Sequence, residues 1–241
     1  MRFKALACLC LLAAAWTLPA AAQTAEDADE RRIMSSAAFL SGHPDLRYRL
    51  AGLKHYRKND FDAALVRFRR AARYGDKPSQ AMVGEMYWTG QGVAQDKVLG
   101  YVWMDLAAER LYPLMLAKRE RYWSELDEAQ RARVLEIGQQ VYAEYGDDVA
   151  KERLDRELRF AKRNTTGSRV GSVGALTIVI PTPGGTEVID GSKFYDEKFW
   201  NVDQYLEWQD ADWINNAEGT VDVGEVMSAG TPLPEESGDE E

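Results

Sequence analysis

Residues 81–108 read AMVGEMYWTGQGVAQDKVLGYVWMDLAA, and this stretch decides the fold. Apolar and small residues recur at three- and four-residue spacing on both sides of a glycine-rich interruption that runs from Thr89 to Asp96. That spacing is typical of helices with one apolar face, and the glycines indicate a turn between them. The stretch therefore predicts a helical hairpin, in which two helices are joined by a short connection.

An earlier copy of the same pattern precedes this stretch. Apolar residues at helical spacing occupy residues 48–56 and 63–72, and a polar break separates the two segments. Tyr56 and Tyr87 are 31 residues apart, whereas Ala72 and Ala108 are 36 residues apart. This difference predicts a longer turn in the second copy, which is where a solenoid accommodates insertions.

The two copies resemble known helical repeats. The second is similar to the Sel-one-like repeat, the variable-length relative of the tetratricopeptide repeat, and the first resembles the plain tetratricopeptide pattern. The residues that carry the resemblance are Ala81, Gly84, Tyr87, Gly90-Gln91-Gly92-Val93, Gln95-Asp96, Trp103 and Ala107-Ala108 in the second copy, and Tyr48, Gly52, Ala64, Phe68 and Ala71 in the first. The resemblance implies a stack of helical hairpins that serves as a generic scaffold for peptides and proteins.

The chain beyond the second copy predicts a cap for this stack, because two repeats leave an apolar flank open. Pro113 begins a third pair of helices, whose second member covers residues 127–145, and a charged helix follows over residues 147–163. The sequence thus predicts a mainly α fold, a short α-α solenoid over residues 43–163. A polar leader over residues 23–42 precedes it.

The composition changes after the charged helix. Glycines punctuate the chain, two β-branched segments flank a turn of proline and glycine, and a cluster of aromatic residues follows. The predicted segments are strands over residues 175–180 and 186–189, a β-hairpin and aromatic extension over residues 164–215, and a disordered acidic tail over residues 216–241.

The N-terminus has the pattern of a secretory signal peptide. Arg2 and Lys4 precede an apolar run from Ala5 to Leu18, and the small residues that follow fit cleavage after Ala22, giving a signal peptide over residues 1–22. The alternative is a retained N-terminal anchor. Since no later stretch has the length of a membrane helix, we expect a periplasmic or secreted protein without a transmembrane segment after cleavage.

Few residues that support catalysis or bind cofactors remain after the predicted signal peptide. Cys8 and Cys10 lie within it, and His43 and His55 lack the spacing of zinc ligands. Neither a nucleophile-elbow motif nor a phosphate-binding loop occurs. We therefore predict a non-enzymatic protein without a metal or cofactor. The alternative is a hydrolase that uses carboxylates in residues 196–212.

Charge is distributed unevenly in a chain of net charge -9. Residues 43–78 carry ten basic and four acidic residues, whereas residues 187–241 carry two lysines and sixteen acidic residues. The basic first repeat has three interpretations: it attracts an anionic surface, it binds an acidic protein or peptide partner, or it faces water. The acidic C-terminal segment of the same chain is the nearest candidate partner. Nucleic acid is not expected, because the predicted exported chain is acidic overall.

The candidate partner-binding residues form a basic set and an aromatic set. The aromatic set has two interpretations, a platform that stacks on cell-envelope glycan such as peptidoglycan, or rings buried against the open flank of the solenoid. The residues are Arg47, Lys54, Arg57, Arg67 and Arg70 in the basic set, and Trp200 and Trp208 in the aromatic set.

Overall fold

The computed structural model describes residues 20–163, 176–182 and 185–215. The first nineteen residues of the predicted signal peptide, both cysteines, the glycine-punctuated stretch and the predicted acidic tail lie outside these ranges. The first described helix begins at Ala20, ahead of the predicted cleavage point.

The described chain is mainly helical, with one two-stranded sheet. A one-turn 3-10 helix at Ala108–Arg110 follows the sixth helix. The elements are α1 Ala20–Ser35, α2 Ala37–Gly42, α3 Pro44–Tyr56, α4 Phe61–Ala72, α5 Lys77–Thr89, α6 Lys97–Ala107, α7 Pro113–Glu125, α8 Glu128–Tyr145, α9 Asp147–Arg163, β1 Thr177–Thr182, β2 Gly185–Asp190, α10 Gly191–Phe194, α11 Glu197–Trp200 and α12 Val202–Asn215.

The two predicted hairpins are confirmed as α3–α4 and α5–α6, and α4 packs on α5 between them. Residues 57–60 connect the first pair and residues 90–96 connect the second, so the second turn is longer, as the offsets between the copies predicted. Asp76 and Asp96 cap α5 and α6 by accepting hydrogen bonds from backbone amides at 3.1 and 3.0 Å. Gly90 ends α5 with a φ of 77°, a conformation that favours glycine.

Two glycines bring α5 and α6 close together. A Cβ added at Gly84 would lie 3.0 Å from the backbone oxygen of Gly100, and one added at Gly100 would lie 2.9 Å from the backbone nitrogen of Trp88. Buried Phe68 and Trp103 belong to the core that forms around this contact. The small residues of the repeat pattern therefore set the distance between its helices.

The predicted third pair, α7 and α8, covers the open flank of the second hairpin. Both helices pack on α6, and the ring of Tyr122 stacks on that of Trp88 with centroids 3.7 Å apart. Tyr145, at the end of α8, reaches the ring of Trp103 at 4.6 Å. The stack is therefore a short α-α solenoid closed at this end by an irregular pair, which confirms the predicted fold class.

A separate core closes the other end of the stack. It joins α1, α2, the start of α3, α9 and the segment from β2 to α12, and its buried residues include Ile33, Phe39, Leu158, Phe199 and Tyr205. The strands pair antiparallel, with Val179 opposite Val188. The predicted β-hairpin and aromatic extension thus pack on the first repeat.

The segment predicted to be a polar leader forms part of this core. Ser36 separates α1 from α2 and caps α2 by accepting the amide of Phe39 at 3.2 Å. This break brings Ile33 and Phe39 into the same cluster, against which Met34 and Leu40 also pack. Among the described residues, no helix combines the length and the apolar character needed to cross a bilayer.

Candidate functional site

The first helices of the three pairs, α3, α5 and α7, line a concave groove with a cavity of about 440 Å³. Its surface is mostly apolar and remains partly open to solvent. Leu114 is 62% exposed, whereas Met115 beside it is buried. The apolar lining consists of Leu53, Phe68, Pro78, Ala81, Met82, Leu114, Met115 and Trp213. Apolar, concave surfaces of this kind bind side chains of a ligand.

Trp213, at the end of α12, closes one end of the groove. Its indole lies against the ring of Tyr112, with centroids 6.2 Å apart. Asp210, one turn earlier, accepts hydrogen bonds from the Tyr112 hydroxyl and from Arg110. α12 is therefore fixed to the start of α7, and its last turn contributes a wall to the groove.

The side walls of the groove carry paired cations. On α3, Arg49 donates to the buried carboxylate of Asp76 at 2.9 Å. On α7, Lys118 donates to Glu85 at 2.8 Å, and Tyr122 donates to the same oxygen at 2.6 Å. Burial opposes the ionisation of Glu85, but these two donors hold the pKa of its carboxyl below the ordinary value.

Three of the five predicted basic residues lie on one side of α3. Helical spacing groups Arg47, Lys54 and Arg57 with Leu50, next to the side of the helix that carries Leu53. All four are exposed, and Leu50 keeps 46% of its surface in contact with solvent. None of these four residues lines the cavity itself. Lys54 and Arg57 lie beside Leu53 on α3, whereas the Arg47 guanidinium lies 4.9 Å from the ring of Tyr48.

The other two basic residues lie on α4. Arg67 is half-buried and Arg70 is exposed. The Arg70 guanidinium lies 5.7 Å from the ring of Tyr48, on the side of α3 that faces away from Leu53. The structure therefore does not bring Arg67 and Arg70 to the groove.

The predicted aromatic residues are part of the second core. Trp200 is 4% exposed, donates its Nε1 hydrogen to the Phe194 carbonyl at 2.6 Å, and lies among Phe39 and Tyr195. Trp208 is half-buried, and its ring meets that of Phe199 at 5.4 Å. A sugar ring cannot stack on Trp200, because only 4% of its surface is exposed to solvent. Trp200 therefore fits the interpretation in which the rings are buried, whereas Trp208 keeps part of its surface in solvent.

The docked C-terminal segment is held by ion pairs that the sequence did not indicate. Asp203 pairs with Lys151, and Glu197 pairs with Lys162, each at 2.5 Å. These lysines belong to α9, not to the basic first repeat. Lys193 and Lys198 of the extension pair in turn with Asp29 and Glu30 on α1. The described C-terminal residues therefore dock on α1, α9 and the start of α3.

A second concavity, about 930 Å³, lies between α9 and α12 and is lined mainly by carboxylates. Its Asp147 receives two hydrogen bonds from Arg110 at 2.9 and 3.0 Å. Burial opposes its ionisation, but Arg110 and Lys77 hold the pKa of this carboxyl below its ordinary value. A general acid needs a raised pKa, so Asp147 does not provide one. No cluster of three potential metal ligands occurs among the described side chains.

The architecture defines a helical-repeat protein. No protein-family model matches the chain. No curated protein matches it either. Among solved structures, the chain is similar to a protective antigen present in uropathogenic Escherichia coli strains that displays an SLR (Sel-one-like repeat) fold, with 21% sequence identity and a TM-score of 0.41. The match covers 53% of this chain and 27% of the antigen, so the chain aligns with about a quarter of the antigen's length.

Proposed function

We propose that this chain is a non-enzymatic scaffold that binds a segment of a partner protein in the concave groove. The observation that carries the proposal is the open, mostly apolar surface along α3, α5 and α7, bordered by cations. The chain acts in the periplasm or as a secreted protein, as the signal-peptide pattern of its first residues indicates.

The groove favours a ligand that combines apolar and acidic side chains. Leu53, Met82 and Leu114 offer a surface for aliphatic or aromatic groups of the ligand. Lys54 and Arg57 are exposed beside this surface and attract carboxylates. Methionine adapts to ligand side chains of different shape, because its side chain is unbranched and flexible.

Selection of peptides from a random displayed library tests this proposal. The selected peptides should contain an apolar residue flanked by acidic residues and should bind in the micromolar range or tighter. Leu114→Asp should weaken binding at least about ten-fold, since it places a charge on the apolar contact surface. Leu114 is exposed, so this substitution leaves the core of the protein intact.

Leu135→Asp is the matched control. Leu135 is 73% exposed on α8, outside the groove, and its replacement changes charge and size in the same way. The proposal requires that Leu135→Asp binds the selected peptides as well as the unmodified chain does. If both variants lose affinity for the peptides equally, or if neither variant loses affinity, the groove is excluded as the binding site.

A further inference from the structure

The groove has a candidate ligand within the same chain. α12 ends at Asn215, two residues after Trp213, which lines the groove. Any residue that follows Asn215 therefore leaves the described structure next to the mouth of the groove. Residues 216–241 are attached at this point.

The composition of residues 216–241 matches the ligand that the groove favours. This segment carries eight acidic and no basic residues. Within it, residues 221–227 read VDVGEVM, which places Val221, Val223, Val226 and Met227 around two carboxylates. The groove presents the complementary surface, an apolar floor beside Lys54 and Arg57.

The length of the segment allows it to reach the whole groove. Packed helices lie about 10 Å apart, so three neighbouring helices present a surface about 20 Å across. The six residues that follow Asn215, up to Val221, span up to about 20 Å when extended. Tethering at the mouth also gives the segment an effective concentration of about 1 mM, so weak contacts suffice to hold it there.

We propose that residues 221–227 occupy the concave groove of their own chain and that a partner segment must displace them. This inference rests on the proposed function, because it assigns a first occupant to the same site. The acidic segment acts as an internal competitor, which lowers the apparent affinity of the groove for external ligands.

Photo-crosslinking in the full chain tests the inference. A benzophenone-bearing amino acid in place of Leu114 should form crosslinks to residues 221–227, identified by mass spectrometry, and the same amino acid in place of Leu135 should not. Mixing isotopically labelled and unlabelled chains distinguishes contacts within one chain from contacts between two. Crosslinks that join labelled to unlabelled chains, or no crosslink to residues 216–241, would overturn the inference.

Two charge variants of the segment provide a matched comparison. Asp222→Asn/Glu225→Gln should reduce the crosslink from position 114 at least several-fold, because it removes the two carboxylates next to the valines. Asp239→Asn/Glu240→Gln removes the same charge near the end of the chain and should leave the crosslink unchanged. Equal effects of the two pairs would show a general electrostatic attraction and would contradict a specific segment in the groove.

Competition separates this inference from the proposed function. A fluorescent synthetic peptide with the sequence of residues 216–241 should bind the full-length Val221→Ser/Val223→Ser variant about ten-fold more tightly than the unmodified chain, because the internal competitor is weakened. If this peptide binds both chains equally while library-selected peptides still require Leu114, the inference is wrong and the proposed function stands. If Leu114→Asp weakens the binding of neither this peptide nor the library-selected peptides, the inference and the proposed function are both wrong.

Discussion

The phenolic hydroxyl of Tyr205 on α12 donates a hydrogen bond to the carboxylate of Asp45 on α3, at 2.7 Å and fully shielded from solvent. Gln209 donates to the same carboxylate oxygen at 3.2 Å. Burial and the adjacent Asp45 carboxylate raise the pKa of Tyr205 well above its ordinary value. The hydroxyl therefore stays protonated and acts as the donor of this hydrogen bond.

Tyr205→Phe should therefore detach the C-terminal extension in part from the first repeat. A hydrogen bond to a buried charged acceptor contributes about 2 kcal/mol, and we expect the free energy of unfolding in urea to fall by about this amount. Tyr195→Phe is the control, because Tyr195 contacts Phe194 and Trp200 through its ring, which phenylalanine retains. A loss in Tyr205→Phe no larger than that in Tyr195→Phe would contradict the role assigned to the hydroxyl.

His43 is expected to resist protonation in the folded chain. It is completely buried, and its ring nitrogens lie 2.8 Å from the carbonyl oxygens of Phe39 and Phe199. Two carbonyl acceptors favour the doubly protonated ring, as does the nearby Asp45, but burial has the larger effect and lowers the pKa of His43 from 6.5. The unfolded chain thus takes up this proton at a higher pH than the folded chain does.

The free energy of unfolding should accordingly fall as the pH drops below about 6.5, towards the pKa of His43 in the folded chain. Above about pH 6.5, the contribution of His43 to the free energy of unfolding should be constant. The chain has two histidines, so NMR of the imidazole protons, with His55→Asn for assignment, follows His43 directly. A His43 resonance that titrates at or above pH 6.5 would show that the two carbonyls hold the ring as a cation.

Replacement of Lys77 should destabilise the fold more than replacement of most other charged residues. Its buried ammonium group contacts Glu109 at 2.7 Å, Asp147 at 3.0 Å and the carbonyl oxygen of Leu106 at 3.0 Å. Lys77→Met leaves these acceptors without their shared cation. We expect a loss of about 3 kcal/mol in the free energy of unfolding, at the low end for buried pairs because the two carboxylates are partly exposed.

Lys97→Met is the comparison for this variant. Lys97 also pairs with a glutamate, Glu125 at 3.3 Å, but both side chains are more than one third exposed. Exposed ion pairs contribute less than about 1 kcal/mol, so thermal or urea unfolding should change little. If the two methionine variants unfold alike, the buried network around Lys77 does not stabilise the protein as described.

Gly100→Ala should destabilise the second hairpin. The added methyl group would lie 2.9 Å from the backbone nitrogen of Trp88 and 3.0 Å from its Cα, atoms that cannot move without shifting α5. Overpacking of this kind costs about 2 kcal/mol, which exceeds the gain in helix propensity. Circular dichroism during thermal unfolding measures the change.

Gly138→Ala should stabilise the protein, in contrast to Gly100→Ala. Gly138 lies inside α8, and a Cβ added there meets no atom within 4 Å. The helix should therefore gain about 0.5–1 kcal/mol from the better propensity of alanine. A stabilised Gly100→Ala variant, or a destabilised Gly138→Ala variant, would show that the helix contacts differ from those described.

The repeats could be predicted from the sequence because their pattern is local. Each hairpin places apolar residues at helical spacing within about 30 residues. The long turn between Thr89 and Lys97 was visible as a glycine-rich interruption, and the β-hairpin as two β-branched segments around a turn. These elements need no knowledge of distant partners.

The second core could not be predicted in the same way. Ile33-Met34 and Phe39-Leu40 are short apolar pairs in a largely polar segment, and the partners of Ile33 and Phe39 include Leu158 and Phe199, far away in the sequence. Nothing in residues 23–42 indicates which surface will cover them. A polar leader was therefore the natural expectation, whereas the structure builds α1 and α2 into the fold.

The candidate site was predicted in part. The predicted helical segment over residues 48–56 contains Lys54 and is flanked by Arg47 and Arg57, but the groove itself depends on how α3, α5 and α7 lie next to one another. In the sequence, Trp213 is the last tryptophan of the aromatic cluster that follows the predicted β-hairpin. Its position in the groove follows from the docking of α12 through Asp210 and Tyr112, which no local pattern reveals.

The contact between His43 and the Phe199 carbonyl, which joins residues 156 positions apart, sets a limit on when the protein can fold during synthesis. The chain emerges from the ribosome beginning with α1 and α2, yet the residues that bury Ile33 and Phe39 are made near the end. The repeats can form early from local contacts. The helices made first cannot be buried until those made last are present, so this core is completed only after nearly all of the described chain has been synthesised.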